Sequence, residues 1–436
     1  MTKLPVMKIA RYTAVCTLLL LSSFGPAVRA ADDAKAEALG IHKLPGQRLT
    51  LYADLSGNEI DRLPSVFAKA FPQWCEYFGV PEGEWPDWRM TGCLMSDKDP
   101  FVLAGLLPDD LPPFAHGFSY NERLWIYEQP SDYYRRHLLL HEGVHGFMNT
   151  VLGNCGPAWY MEGIAEYLAT HRLVDDRLTL GFMPEDRRQT PEWGRIRIIQ
   201  DAVAEGKGLR LPQVIDYPAD QRNETDFYAW CWALASLLDR HPRYQERFRE
   251  LPRHVRDAKF TEHFLESYRA DWPELCEEWL LMTANLEYGY DVARSAVDFT
   301  PGKPLRNGAA RVEIAADRGW QNTGLRLDRG DAYRLTASGR YQVALDPRDE
   351  ATPWMSEPGG VSIRYYQGRP LGVLLAAVRP DRPAKESDSA LLHPVVVGLG
   401  ATITPEQSGT LFLKINDSAG ELTDNAGTLQ VDVQPW

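Results

Sequence analysis

His141-Glu142-Gly143-Val144-His145 places two imidazoles four residues apart, with a carboxylate directly after the first. Around them, Leu138, Leu139, Val144, Phe147 and Met148 recur at helical spacing within Arg135–Thr150, which predicts an amphipathic helix. Four residues turn a helix through roughly 400°, so the two histidines stand one above the other on one face. Imidazoles held that way can grip one divalent ion, with Glu142 free to take a proton from a polarised water instead of serving as a ligand. The five residues alone also suit a helix carrying two surface histidines and a solvated glutamate.

A second stretch changes that balance. Gly156-Pro157-Ala158-Trp159-Tyr160 has the proline expected in a first helical turn, and Met161–Ala169 continues it. Glu162 and Glu166 are four apart and share a face, while Ile164, Tyr167 and Leu168 can pack inward. Carboxylates half-buried on such a helix need a partner, and a metal ion beside two histidines supplies one.

H-E-x-x-H followed by W-x-x-E-G-x-A-E resembles the gluzincin zinc metallopeptidases, in particular a secreted bacterial branch with an E-G-x-A-E-Y signature. The resemblance spans roughly residues 47–290. It implies His141, His145 and Glu162 as zinc ligands, Glu142 as general base, and Glu166 as a carboxylate that orients a ligand histidine from behind. His137, one turn before His141, is the rival ligand and reads as helix surface or as support behind the site. The same branch carries a tyrosine at the start of a comparable alanine-rich helix, which implies Tyr228 as the donor to the oxyanion. Tyr160 is the second candidate for that role.

The elements that must position these groups begin with Arg48–Asp54, which alternates like a strand. Ile60–Phe78 follows as a helix with Leu63, Phe67, Phe71 and Trp74 as its stripe. Trp88–Ser96 and Phe118–Glu128 are further strand candidates. This order matches the small N-terminal lobe of gluzincins, where an edge strand pairs with extended substrate; Phe118 and Tyr120 are assigned that role, with an ordinary core strand as the alternative. Beyond the glutamate helix, Thr190–Gly208, Leu211–Tyr217 and Thr225–Arg240 read as helices, the last stopping before Pro242.

Residues 1–30 carry Lys3, Lys8 and Arg11, an apolar run Thr13–Leu21 and a terminal Val-Arg-Ala, the pattern of a cleaved signal peptide. The run is too short to span a bilayer, and no lipoprotein-like box precedes Cys16. The expected protein is exported, periplasmic or secreted, with residues 31–46 a loose tail. Cleavage removes four basic residues and takes the net charge from −13 to −17, which argues against nucleic acid or anionic membrane as partners. Five cysteines remain, with Cys75–Cys93 and Cys231–Cys276 as possible pairs and buried thiols as the alternative.

After a linker at 294–309, helical periodicity gives way to short alternating runs separated by glycine-rich turns, from Ala310–Ala315 to Thr428–Val433. This predicts a β-sandwich over residues 310–436. Asp417, Asp424 and Asn425 lie in a loop dense in the hard oxygens that calcium prefers. That loop, with Trp320-Gln-Asn-Thr-Gly and Gly330-Asp331, resembles the calcium-dependent galactophilic lectin of bacteria and its relatives. The likeness implies Asp417, Asp424 and Asn425 as side-chain calcium ligands, with backbone oxygens such as that of Glu421. The family's sugar-reading loop has a counterpart at Arg364–Gln367 that lacks the histidine.

The expectation is therefore an α+β chain: a thermolysin-like zincin catalytic domain at 47–293, then an all-β sandwich. Its expected activity is zinc-dependent hydrolysis of peptide bonds in a peptide or protein substrate. No G-x-M-E-N exopeptidase motif is present, which favours an endopeptidase. The alternatives are an adhesive carbohydrate-binding protein with an idle zinc domain, or a zinc hydrolase of another amide or ester.

Overall fold

A computed structural model describes residues 33–218, 225–305, 308–346, 348–381 and 388–436. The expected signal peptide and Cys16 lie outside the described residues. The chain is a mixed α/β protein with a β-rich C-terminal region.

The N-terminal part is built on five strands, β1 (His42–Leu44), β2 (Leu49–Ala53), β3 (Met90–Met95), β4 (Gly117–Tyr120) and β5 (Arg123–Tyr127). Their order is β1-β2-β3-β5-β4, parallel through β2, β3 and β5 and antiparallel at both edges. Alternation along each strand sends side chains to two different cores. Leu49, Leu51, Leu124 and Ile126 face α3 (Leu63–Phe78) and α5 (Asp132–Phe147). Tyr52, Cys93 and Trp125 face α1 (Asp33–Ala38) and α4 (Asp99–Ala104) on the other side. A short α2 (Asn58–Asp61) precedes α3.

The main helical assembly follows: α6 (Ala158–Ala169), a hairpin of β6 (His171–Val174) and β7 (Arg177–Leu180), then α7 (Arg195–Ala204), α8 (Leu211–Ile215) and α9 (Thr225–Arg240). α10 (Gln245–Glu250), α11 (Phe260–Ser267), α12 (Trp272–Ala284) and α13 (Val292–Ser295) complete it. Ser131 caps α5 by accepting a hydrogen bond from Tyr134 N at 3.1 Å. Past Phe147 that helix runs on through a π-helical turn, Met148–Leu152, and stops at Gly153, whose φ of 84° suits glycine.

In the C-terminal region, β8 (Lys303–Pro304), β10 (Gln321–Leu327), β16 (Leu374–Pro380), β17 (Val395–Val396) and β19 (Gly409–Ile415) form one sheet in the order β17-β16-β19-β10-β8. A second sheet, β18-β11-β20-β9, is made of β9 (Ala310–Ala315), β11 (Tyr333–Ser338), β18 (Gly400–Ile403) and β20 (Thr428–Pro435). Ile314, Leu335 and Val431 of one sheet and Leu374, Leu411 and Leu413 of the other share a single core. The pairs β12 (Tyr341–Asp346) with β13 (Asp349–Ser356), and β14 (Val361–Tyr366) with β15 (Arg369–Leu371), extend from it.

A strap at residues 285–291 ties the two regions together. Glu287 Oε1 accepts hydrogen bonds from Tyr366 Oη at 2.9 Å and Ser418 Oγ at 2.7 Å. Asp291 N donates to Ala419 O at 3.0 Å, and Arg379 pairs with Glu277 at 2.8 Å.

Several expectations differ from what is found. The described part of the tail is not loose: α1 and β1 are ordered elements, with Ala36 and Ile41 buried. Phe118–Glu128 is a hairpin, turned at Asn121 with φ 51°, instead of one strand. The helix expected over Thr190–Gly208 is only Arg195–Ala204, and β6–β7 were not foreseen. α5 is not amphipathic, since every residue from His137 to Met148 is buried. The linker stretch buries Val297 and Phe299, while residues 306–307 lie outside the described set. No disulfide joins the five cysteines, all of which are buried thiols. Cys75 belongs to the core on one face of the sheet and Cys93 to the core on the other, so the sheet itself separates them.

Candidate metal centre

α5 and α6 pack side by side and bring His141, His145 and Glu162 to one point. His141 Nε2 and His145 Nε2 are 3.0 Å apart, and each lies 3.3 Å from Glu162 Oε2. A tetrahedral zinc site with bonds of about 2.0–2.1 Å sets its ligands about 3.3 Å apart. Three lone pairs converging this tightly repel one another unless a cation lies among them. Glu162 Oε2 is buried with no hydrogen-bond partner, so the donor set and the orphaned oxygen both fit a metal ion.

The electrostatics agree. Burial works to lower the pKa of His145, but the Glu162 carboxylate overrides it and holds the imidazole well above its ordinary value. Burial works to raise Glu162, but the two histidines bring it down to about 2.

The glycine of the E-G-x-A-E stretch has a packing reason. A Cβ on Gly163 would lie 2.8 Å from the carbonyl oxygen of Cys231, so only glycine lets α6 approach α9 this closely. That approach brings Tyr228 to the site, its ring centroid 6.1 Å from that of His141. Burial and the carboxylates of Glu162, Glu166 and Glu142 push its phenol above the usual range, so it remains a proton donor. Tyr160 is 1% exposed and packs among Phe248, Phe260 and Trp159.

Glu142 points from α5 toward β4. Burial raises its pKa against the pull of His141 and His145 and a hydrogen bond with Ser119. β4 is the last strand of its sheet, bonded only to β5 among the described strands. The strand residues facing Glu142 are Gly117 and Ser119. Phe118 and Tyr120 lie on this edge strand with their side chains on the opposite face, where Phe118 stacks on Phe114 and Trp125 and Tyr120 is exposed.

Behind His141 sits Glu166, 2% exposed, with Oε1 3.4 Å from His141 Nδ1 and Oε2 3.2 Å from His137 Nε2. His137 is therefore buried, not helix surface, and burial lowers its pKa. Arg195, which sequence reasoning did not single out, donates to both Glu166 oxygens at 3.0 Å. Burial works to raise Glu166, but Arg195 and His137 hold it well below the usual carboxylate range. The Cys155 thiol lies 3.7 Å from the His145 carbonyl. Arg195 belongs to no spacing pattern that a single sequence displays.

In the C-terminal region, Asn425 and Asp417 are in direct contact, while the Asp424 carboxylate accepts from Leu345 N at 3.2 Å. Asn425 Nδ2 donates to Asp417 Oδ2 at 2.8 Å, while Asp424 Oδ1 and Asn425 Oδ1 are buried without partners. Burial, aggravated by Glu421 and Asp424, lifts the Asp417 carboxyl to about 7. Arg364 pairs with Glu421 at 3.0 Å, and Gln367 is engaged by Asn285 of the strap at 3.2 Å. Among the described residues no helix is long and apolar enough to cross a membrane.

No family model matches this chain, and no curated protein matches it. Among solved structures it is similar to the EclA N-terminal domain, a PllA-like lectin, at 20% identity and TM-score 0.21, over 30% of this chain and 97% of that one. It is also similar to the IMPa metallopeptidase in complex with T-antigen, at 12% identity and TM-score 0.17, over 62% of this chain and 26% of that one. A structure of IMPa from Pseudomonas aeruginosa with an O-glycopeptide aligns at 11% identity and TM-score 0.18, over 58% of this chain. The chain thus spans between about a quarter and about half of the length of the IMPa structures, and at these TM-scores the likenesses are partial.

Proposed function

We propose that this chain is an exported zinc metallopeptidase, with His141, His145 and Glu162 as ligands and Glu142 as general base. The observation that carries the reading is the triangle of two imidazole nitrogens and one orphaned carboxylate oxygen, with sides of 3.0, 3.3 and 3.3 Å. When bound, zinc supplies Lewis-acid polarisation of a carbonyl and a water acidic enough to be deprotonated near neutral pH. Glu142, its pKa raised by burial, takes the proton of the attacking water and returns it to the leaving amine. Tyr228 donates to the oxygen that gains charge as the amide carbon becomes tetrahedral. The free edge of β4 receives an extended substrate backbone by strand addition, with Gly117 and Ser119 beside the base.

In this reading residues 1–30 are the signal peptide, 47–293 a thermolysin-like gluzincin domain favouring internal peptide bonds, and 310–436 a lectin-like sandwich. Asp417, Asp424 and Asn425 hold a calcium ion, supported by the two orphaned buried oxygens in that loop. Sugar binding is weakly supported, since Gln367 is turned to Asn285.

Profiling the purified protein on peptide and non-peptide libraries, with and without chelator, tests the proposal. Glu142→Gln should keep zinc and lose turnover; cleavage at the parent rate overturns the assignment of the base. Turnover of esters alone reassigns the site to another zinc hydrolase, and calcium-dependent glycan binding without hydrolysis makes the protein an adhesin.

A further inference from the structure

Glu166 is the hub of the buried cluster behind the zinc triangle. Each of its oxygens has two partners: Oε1 meets Arg195 Nη2 at 3.0 Å and His141 Nδ1 at 3.4 Å. Oε2 meets Arg195 Nε at 3.0 Å and His137 Nε2 at 3.2 Å. His137, His141 and Glu166 lie close enough to hold a second ion, but the guanidinium already occupies both oxygens with a positive charge. Arg195 fills the place of a second cation.

Its own setting is rigid. Arg195 is 4% exposed and opens α7 directly after Gly194, whose φ is 63°. Arg195 Nη1 also donates to Trp193 O at 3.2 Å, and its Cζ is 6.0 Å from the Tyr228 ring centroid. Charge counting adds a second reason. Glu142, Glu162 and Glu166 bring three negative charges into a buried site; a divalent ion and one arginine bring three positive ones. Unpaired buried charge is costly, so the site balances only with both.

We infer that Arg195 is a positioning residue for the metal centre: its two parallel hydrogen bonds hold Glu166 against His141, aiming Nε2 of that histidine at the zinc position. The inference rests on the zinc reading and names a support that the H-E-x-x-H and E-G-x-A-E motifs do not contain. Groups of this kind behind a ligand histidine typically change metal affinity by about 10–100-fold when removed.

The test measures zinc affinity of the full chain by chelator competition, well below melting, for the parent, Arg195→Met, Arg195→Lys and Arg379→Met. Arg379, on β16 of the C-terminal region, forms a half-buried ion pair with Glu277 and controls for the loss of such a pair. Arg195→Met should weaken zinc binding by about 10–100-fold, and Arg379→Met by less than about twofold. Arg195→Lys keeps the charge but not the two-bond fork, and should fall between parent and Arg195→Met. Parent-like affinity in Arg195→Met overturns the inference, as does an equal loss in Arg379→Met. If Arg195→Met does not fold, parent-like affinity in Arg195→Lys overturns it instead. A parent chain that binds no zinc defeats the zinc reading itself, which is a separate outcome.

Discussion

Gly117 faces Glu142 so closely that a Cβ added to it would stand 2.6 Å from Oε1 of the carboxylate and 3.1 Å from its Cγ. The edge strand and the Glu142 carboxylate are fitted to each other, with no room for a side chain between them. Gly117→Ala should displace the carboxylate while leaving His141, His145 and Glu162 in place. The expected result is kcat/KM lower by about 10–100-fold with zinc content unchanged. Zinc analysis alongside peptide kinetics checks it; unchanged kinetics would mean that Glu142 is not held where it reacts.

Tyr228→Phe removes a hydroxyl and leaves the ring beside His141. If the phenol donates to the oxyanion, kcat should fall by about 10²–10³-fold with KM little changed. A rise in KM alone would assign the tyrosine to substrate binding.

If His141, His145 and Glu162 hold zinc, chelation should destabilise the protein, because the three converging groups lose their cation. Zinc at about 100 times its dissociation constant adds about 2.7 kcal/mol. Calorimetry with and without chelator should show a lower Tm that zinc restores. An identical Tm in both would argue against a metal at this triangle.

Gly163→Ala introduces a methyl 2.8 Å from a backbone oxygen of α9, an atom that cannot rotate away. The expected cost is about 1–3 kcal/mol, read as a melting temperature lower by several degrees. Wild-type stability in this variant would show that α6 and α9 can separate without penalty.

Asp417 gives a pH dependence in the C-terminal region. Its carboxyl is raised from the ordinary 3.8 to about 7, chiefly by burial. Such a group favours the folded state fully below the unfolded pKa, and that contribution is lost as pH rises through the folded value. Without calcium, stability should therefore decline from about pH 4 to about pH 7. If calcium is held here it requires the ionised carboxylate, so its stabilising effect should be larger at about pH 8 than at about pH 5. Melting curves of the parent and Asp417→Asn across this range, with and without calcium, check both signs; the variant should lose the calcium response.

The ligand triangle was legible because its information is local. Two histidines one helical turn apart and a glutamate on the next helix are brought together by any close packing of those two helices. The β-rich texture of the C-terminal region was legible for the same reason, since alternation is a property of neighbouring residues. Arg195 could not be read this way: nothing near Gly194 indicates that its guanidinium reaches Glu166, 29 positions earlier.

Which face of a strand meets a helix is likewise a matter of packing. The order of elements placed an edge strand at Phe118 and Tyr120, but did not show that Gly117 and Ser119 are the residues turned to Glu142. The Cys75–Cys93 pairing failed because a sheet lies between the two residues, leaving the alternative of buried thiols. Sequence alone determined the donor atoms available to a metal, since residue type and helical spacing specify them. Only tertiary structure decided what surrounds those atoms, because burial and charge balance arise from contacts between segments distant along the chain.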